Sequence, residues 1–493
     1  MFYKNKVKFK PKTEKEFLFD MFKNNQNHTD DPTKLEIGQP RHSYNFISKD
    51  GTLKSGYGFK DLSMPTSRDD LQTEEKVTIR GEHVQTIWKL KWYNRNSDIN
   101  CYYLFYYNDE NNMCFDDMFD VRYDPLIWPT EFNMLPYITY YRKDKQDAIL
   151  LSGKDGNLMV LTGSGSVAHN EAPAIISCCS HYGKLFAITA TARGTLVYAD
   201  SPEITSWQDD LSKDLDFSDE RGDMNKIISF NDYLYIFRDF GITQVSEYGR
   251  DNALAVSHMY KADGYIHPNT IVQSGDSVFF LEGTTLKSFN GSSVKNIPLS
   301  CLKLLEGCDN RYAFAECYEG KYFLACRGDF KDGQKIGCES QTFNNNLLIV
   351  YDFESGHEDI LRGVDINKLL AFTNSFKSKL LACFYNSNKG KIGELTVDGG
   401  VFGSKHSCAW SSGQTDFDMP GKRKKIKSFL IKSQSDCQII FSSDEESKTY
   451  FVSGSEQIQQ IDADVAGKMF EAKIVSVASG QDYISNFVVT VSK

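Results

Sequence analysis

Gly183-Lys184-Leu185-Phe186-Ala187-Ile188-Thr189-Ala190 opens a stretch, running to Tyr248, from which the fold is read. Its apolar run follows a glycine turn, and a polar break at Arg193-Gly194 leads into a second run, Thr195-Leu196-Val197-Tyr198-Ala199. The cycle then restarts. Lys226-Ile227-Ile228-Ser229-Phe230 turns at Asn231-Asp232 into Tyr233-Leu234-Tyr235-Ile236-Phe237, and Asp239-Phe240-Gly241 turns again into Ile242 to Tyr248. Short β-branched and aromatic runs, punctuated by Gly, Asn and Asp and repeated at a long period, are the signature of propeller blades.

Working outward, the same unit recurs in both directions. Trp88–Tyr93 pairs with Cys101–Tyr107, and Ala148–Ser152 with Leu158–Leu161. Downstream, Ser277–Leu281 pairs with Thr285–Phe289, Lys321–Cys326 with Leu347–Asp352, and Ser378–Tyr385 with Gly390–Val397. These seven hairpin-centred units, mostly about 40–50 residues apart, predict an all-β chain with a β-propeller-like domain of six or seven blades over 41–405. After Val401 the strands become short and alternating (Ser428–Ser433, Cys437–Ser442, Lys448–Ser453, Gln457–Ile461, Phe470–Val477 and Ile484–Val491). That pattern predicts a C-terminal antiparallel β-sandwich over 406–493. Residues 1–40 read as an N-terminal arm, either a tail that orders on a partner or a frayed end. Tyr44–Ile47 and Thr52–Lys60 flank Asp50-Gly51 as a hairpin. The Met64–Glu75 insert and the Arg327–Asn346 loop are polar.

Composition bounds the function classes. The 493 residues are 40% hydrophobic and 25% charged, and 26 tyrosines and 34 phenylalanines favour strands. No segment approaches the ~20 apolar residues of a membrane span. The basic start Met1–Lys8 lacks the apolar core of a secretion signal, so synthesis and assembly in a cytoplasm are expected. The net charge of −10 argues against a protein that envelops nucleic acid, since such binding needs Lys and Arg to neutralise phosphates. It is compatible with a surface that DNA slides past. The 12 cysteines lie mostly in apolar runs (Cys101, Cys317, Cys326, Cys383) and show no zinc spacing, so reduced thiols and no metal are expected. Cys178 and Cys179 should face opposite sides of one strand.

The catalytic inventory is empty, and no catalytic, cofactor-binding or metal residues are assigned. Asp200–Trp207 has some character of an aspartate-box turn but lacks its glycine, and reads as a turn with Trp207 packed between blades. Asp209-Asp210, Asp214, Asp216, Asp219-Glu220 and Asp223 read as a solvated loop or subunit contact, because a catalytic carboxyl pair needs one member in an apolar pocket. Gly163–Ser166 lacks the Lys of a phosphate loop. The basic run Lys422–Lys425 reads as a solvated strand mouth.

Three stretches carry a family resemblance. Tyr44-Asn45-Phe46, Asp50–Lys54 and Gly56-Tyr57-Gly58-Phe59 resemble the N-terminal blade opening of phage packaged-DNA stabilisation proteins, the tail-hub or nozzle proteins of short-tailed viruses. Gly183–Ile188 with Gly194–Asp200 and Thr205-Ser206-Trp207 is similar to their best-marked blade, and Asn231–Phe237 with Gly241-Ile242 resembles the next. The resemblance spans about residues 41–490, at the level of pattern. It implies a non-enzymatic virion protein of the tail or neck, without cofactor. Such a protein forms a hexameric ring with adaptor and other tail proteins, retains packaged DNA and passes the double strand at ejection. A carbohydrate- or receptor-binding propeller is the second expectation, and a propeller glycosidase acting through Asp200 the third.

Overall fold

Two-residue hairpin turns set the blade pattern. Tyr182-Gly183, Asn231-Asp232 and Glu319-Gly320 all adopt positive φ at both central positions, the geometry whose twist matches that of the strands it joins. At Gly183 (φ 77°) the missing side chain makes this conformation unstrained. In this computed structural model the described residues are 16–24, 42–43, 45–47, 52–54, 56–61, 84–94, 99–108, 113–117, 137–143, 146–152, 158–162, 165–169, 174–190, 193, 195–199, 213–248, 253–299, 301–328, 345–356, 358–362, 364–373, 378–384, 391–397, 400–403, 407–477 and 483–493. Among them the only α-helix is the single turn Met21–Asn24.

Seven antiparallel sheets follow in chain order as blades 1 to 7. Blade 1 is Val84–Asn94, Ile99–Asn108 and Met113–Asp117; blade 2 begins at Tyr137–Lys143, blade 3 at Ile175–His181 and blade 4 at Met224–Phe230. Blade 5 begins at Val272–Ser274, blade 6 at Phe314–Tyr318 and blade 7 at Ile366–Thr373. The first strand of each blade is the innermost. Val84–Asn94 touches both Gln146–Ser152 of blade 2 and Ile366–Thr373 of blade 7, which closes the ring.

Apolar cores fill the wedges between blades, each drawing alternate residues from two neighbouring sheets. Phe186, Leu196, Ile227 and Ile236 join blades 3 and 4, and Phe237 meets Phe280 edge-on at 5.5 Å between blades 4 and 5. Such aromatic packing adds about 0.5–1.5 kcal/mol beyond area burial. Cys178 packs toward blade 2 and Cys179 toward blade 4, on opposite faces of their strand as expected.

Two expectations about the N-terminus need correction. Asn45–Ile47 and Thr52–Lys54 pair with each other as expected, the Asp50-Gly51 turn between them lying outside the described residues, but both strands lie in the C-terminal domain, where Thr52–Lys54 pairs with Tyr483–Ser492. Only Gly58–Asp61 reaches the propeller, as the outer strand of blade 7 beside Lys391–Thr396. Nor is 1–40 wholly a free arm. Glu16–Asp20 pairs along the final strand, Glu16 opposite Ser492 and Asp20 opposite Val488. The physical reason is apolar content: Phe19, Met21 and Phe22 are buried, with Phe22 packed edge-on to Trp410 at 5.2 Å.

One sheet of the C-terminal sandwich contains those N-terminal strands with Tyr483–Ser492, Lys424–Ser433 and Gln459–Gly467. The other contains Ser407–Thr415, Phe470–Val477, Cys437–Ser443 and Ser447–Val452. Phe429, Phe441 and Phe487 fill the space between them. The two-residue strand His42–Ser43 pairs with Glu358–Arg362 of blade 6 on one side and Ser407–Thr415 on the other, so one nine-stranded sheet runs from propeller into sandwich.

Candidate functional site

A recurring irregularity marks the first strands of the blades. Blades 3, 4 and 7 each carry a register shift near the start of the first strand, between Ile175 and Ser177, Met224 and Lys226, and Ile366 and Lys368. A β-bulge leaves one residue unpaired and re-aims its neighbours. The position after it holds Ser177, Lys226 and Lys368 in the three blades. Ser177 Oγ accepts the Ile227 N–H at 3.1 Å, locking blade 3 to blade 4.

Lys226 and Lys368 each lean toward the next blade. Lys226 Nζ donates to the Ile271 carbonyl at 2.6 Å, and Lys368 Nζ lies 5.9 Å from the centre of the Phe314 ring. From blade 6, Glu316 accepts the Ala371 N–H at 3.3 Å and the Cys317 N–H at 3.1 Å. Burial pulls the Lys226 ammonium down to about 8, opposed by Glu316. Burial likewise pulls Lys368 down to about 8, with Lys226 adding to the effect and Cys383 and Glu316 opposing it. The Glu316 carboxylate of blade 6 thus bears on the lysines of both blade 4 and blade 7.

The sign of the resulting pH effect is fixed. The folded pKa of Lys226 is about 8 and its ordinary value 10.5, so between them the unfolded chain holds a proton the folded chain lacks, and stability rises with pH. Burial pushes the thiols of Cys179, Cys317 and Cys383 up to about 11, 12 and 12, which acts in the opposite direction. We therefore expect the trend in a difference. From pH 8 to 10.5, the urea midpoint of wild type should gain on that of Lys226→Met, the shared thiol effect cancelling; a constant gap would contradict a depressed Lys226.

The acidic loop is built into blade 4. Arg238, fully buried, donates through Nη1 to Asp219 Oδ2 at 2.7 Å, through Nη2 to the Phe217 carbonyl at 2.6 Å, and through Nε to the Gly222 carbonyl at 3.0 Å. Partial burial acts to raise the Asp219 pKa, but the Arg221 N–H and the Arg238 guanidinium outweigh it and hold the carboxyl below its usual range. Glu220 pairs with Lys261 at 2.9 Å, and Asp223 with Arg193 at 3.8 Å. These acids are spent on cations of the same chain. Asp214 and Asp216 lie in the outer strand of blade 3, Lys213–Asp216. Asp209, Asp210 and the Asp200–Trp207 turn fall outside the described residues.

The basic run is similarly engaged. Lys424 is buried and donates to the carbonyls of Asp416 and Met419, each at 2.8 Å. Arg423 grips Glu445 and Lys425 pairs with Asp464. Gly165 and Ser166 sit in the strand Gly165–His169. Among the described residues no group of three or more His, Cys, Asp or Glu is placed to hold a metal ion, and no helix is long and apolar enough to cross a membrane. Cys179, Cys301, Cys317 and Cys326 carry free thiols.

Sequence reasoning passed over Lys226, Glu316 and Lys368. Aligning the units by the starts of their first strands is the signal that finds them, since each stands two residues in (from Met224, Phe314 and Ile366).

No family model matches this sequence, and no curated protein matches it. Among solved structures, the chain is similar to BamB from Moraxella catarrhalis, at 13% identity over 52% of this chain and 82% of that one, with a TM-score of 0.29. It is also similar to BBS1N, crystallised in complex with ARL6DN (10% identity, 60% and 88% coverage, TM-score 0.38). A third is YCF48 bound to D1 peptide (9% identity, 68% and 94% coverage, TM-score 0.38). At these scores the similarities carry no argument about function. The strand pairing itself makes the chain an all-β propeller with a C-terminal sandwich.

Proposed function

We propose that this chain is a structural subunit of the tail or neck of a short-tailed phage, of the tail-hub or nozzle kind, which retains packaged DNA and lines part of its exit channel. The residue patterns of blades 3 and 4 motivate the reading. The observation that carries it is the path of the N-terminal segment: it is strapped into the sandwich, then the rim of blade 6, then the sandwich again, and finally blade 7. A rigid body stitched in this way suits a pressurised conduit better than a hinged catalyst. In this reading the chain catalyses no reaction and binds no cofactor. It assembles into a hexameric ring with adaptor and other tail proteins in the host cytoplasm.

DNA would pass between subunits of that ring and not through the propeller. The major groove of a duplex is about 12 Å wide, and the whole duplex wider, whereas the first strands of blades 4, 6 and 7 bring Lys226, Glu316 and Lys368 within electrostatic reach of one another. A net charge of −10 keeps such a ring from gripping phosphates. Electron microscopy of purified particles should locate the chain as a ring on the tail axis. Finding it in host cytosol and absent from particles would refute the proposal.

A second reading, a carbohydrate- or receptor-binding propeller, draws on one observation. Tyr182 (65% exposed) and Tyr233 (44% exposed) stand at neighbouring hairpin turns of blades 3 and 4, with Tyr182 hydrogen-bonded to Asp232. Exposed rings beside carboxylates suit sugar stacking. Specific retention on a glycan array by the isolated monomer, lost in Tyr182→Ala, would favour it over the tail role.

A further inference from the structure

We infer that one basic corner of the sandwich, made of residues 1–15 and the run Lys422–Lys427, is a contact for duplex DNA that engages the phosphate backbone without regard to sequence. The inference deepens the DNA-retaining role proposed above and rests on it for the identity of the polyanion. Its test uses the purified chain, so its failure is distinct from a failure to find the chain in particles.

The first argument is where the chain gathers its base. Residues 1–15 hold Lys4, Lys6, Lys8, Lys10, Lys12 and Lys15 against one acid, Glu14. Residues 422–427 add Lys422, Arg423, Lys424, Lys425 and Lys427 and no acid. In a chain whose net charge is −10, base concentrated in two runs marks a place that attracts anions. A contact confined to such a place leaves the rest of the surface acidic, so the duplex is held at one point and not enveloped.

The second argument is topological. The two runs lie at opposite ends of the sequence, and the final strand brings them together. Ser492 pairs with Glu16 on one side and with Lys425 on the other. Neighbouring strands lie about 4.8 Å apart, so the backbones at Glu16 and Lys425 stand about 10 Å apart. Glu16–Asp20 and Lys424–Ser433 both run antiparallel to Tyr483–Ser492, so residues 1–15 lead into the sheet at the end where Lys422–Lys425 enters it. Lys493 follows the strand between them. Residues 1–15 themselves fall outside the described residues.

The third argument is which charges are free to act. Arg423 pairs with Glu445 at 2.7 Å and Lys425 with Asp464, which neutralises those two acids. Lys422, Lys427 and Lys493 are exposed and, among the described residues, form no ion pair. The acidic loop of blade 4, the natural counterpart within the chain, is already matched with Arg238, Lys261 and Arg193.

Spacing then selects the partner. From Lys4 to Lys12 a lysine stands at every second position. Drawn out along a ligand at about 3.3 Å per residue, such a segment offers an ammonium about every 6.6 Å. A duplex carries one phosphate per strand about every 3.4 Å of its axis, so each lysine meets every second phosphate. A bilayer is a poorer match, because only Val7, Phe9 and Pro11 are apolar between Lys4 and Lys12 and offer little to insert.

The test is fluorescence anisotropy of a dye-labelled duplex of random sequence, titrated with the full chain at low salt. Binding is expected, and release of counterions by the six lysines of residues 1–15 should weaken it about a thousandfold between roughly 50 and 200 mM salt. Removing residues 1–15 should weaken it about tenfold or more and flatten the salt dependence. Lys422→Gln with Lys427→Gln should weaken it several-fold, and Lys295→Gln, exposed in the outer strand Val294–Ile297 of blade 5, should change nothing. No binding by wild type at low salt, or undiminished binding without residues 1–15, would overturn the inference. Wild-type affinity in the chain lacking Lys422 and Lys427 would overturn the joint corner. Attachment to phosphatidylserine vesicles without attachment to DNA would also overturn it, in favour of a membrane contact.

Discussion

Replacing Arg238 by Met should destabilise the chain by about 3–5 kcal/mol, the range for removing one partner of a buried, hydrogen-bonded charge pair. The side chain has no exposure at all, and its guanidinium is shared among the Asp219 carboxylate and the Phe217 and Gly222 carbonyls. Removing it leaves these acceptors facing an apolar side chain beneath the loop. Asp219→Asn should cost less, about 1–3 kcal/mol, because Asp219 is 30% exposed and water can replace its partner. Arg238→Lys should recover only part of the loss, since one ammonium cannot reproduce a planar fork aimed at three acceptors. Urea unfolding of the three variants checks the order. Equal losses for Arg238→Met and Asp219→Asn would show that the ion pair, and not the carbonyl contacts, dominates.

Phe59→Ala should cost about 3–5 kcal/mol and, beyond that, loosen the ring. Phe59 is 1% exposed, meets Phe384 edge-on at 5.0 Å, and sits in the strand that completes blade 7. Its backbone is tied as well: Phe59 N–H donates to Gly400 O, and Phe402 N–H donates to Phe59 O, each at 2.8 Å. Packing there is tight enough that a Cβ on Gly393 would come within 2.8 Å of the Phe384 ring. Hydrogen exchange should quicken first in Lys391–Thr396, while the wedge between blades 3 and 4 keeps its protection. Uniform acceleration in every blade would mean that the closing strand has no special part in holding the disc shut.

The blade array was legible because each hairpin is a local object. An apolar run, two turn residues and a second apolar run stand within twenty residues or so of one another, as from Lys226 to Phe237. The outermost strands were harder to see. Ala253–Lys261 exposes Val256, Ser257 and His258 and so lacks the plain alternation of a half-buried strand. The destination of the N-terminal segment left no local trace, because Glu16–Asp20 finds its partner at the far end of the chain. Lys226 and Lys368 were hidden for a different reason. A lone Lys in Met224–Phe230 looks like any strand residue until the bulge beside it and the matching bulge before Lys368 are seen.

The pairing of Phe17 with Val491 and of Phe59 with Leu395 dictates an order of events during synthesis. Both early strands leave the ribosome hundreds of residues before their partners exist, so neither the sandwich nor the closed disc can form on the nascent chain. Contacts this distant in sequence make for slow maturation, and the waiting edge strands invite mispairing with other chains at high expression. Chaperone supply during production should therefore govern the yield of soluble protein, and a circular permutant that begins at blade 1 and carries residues 16–61 after residue 493 should be released from that delay.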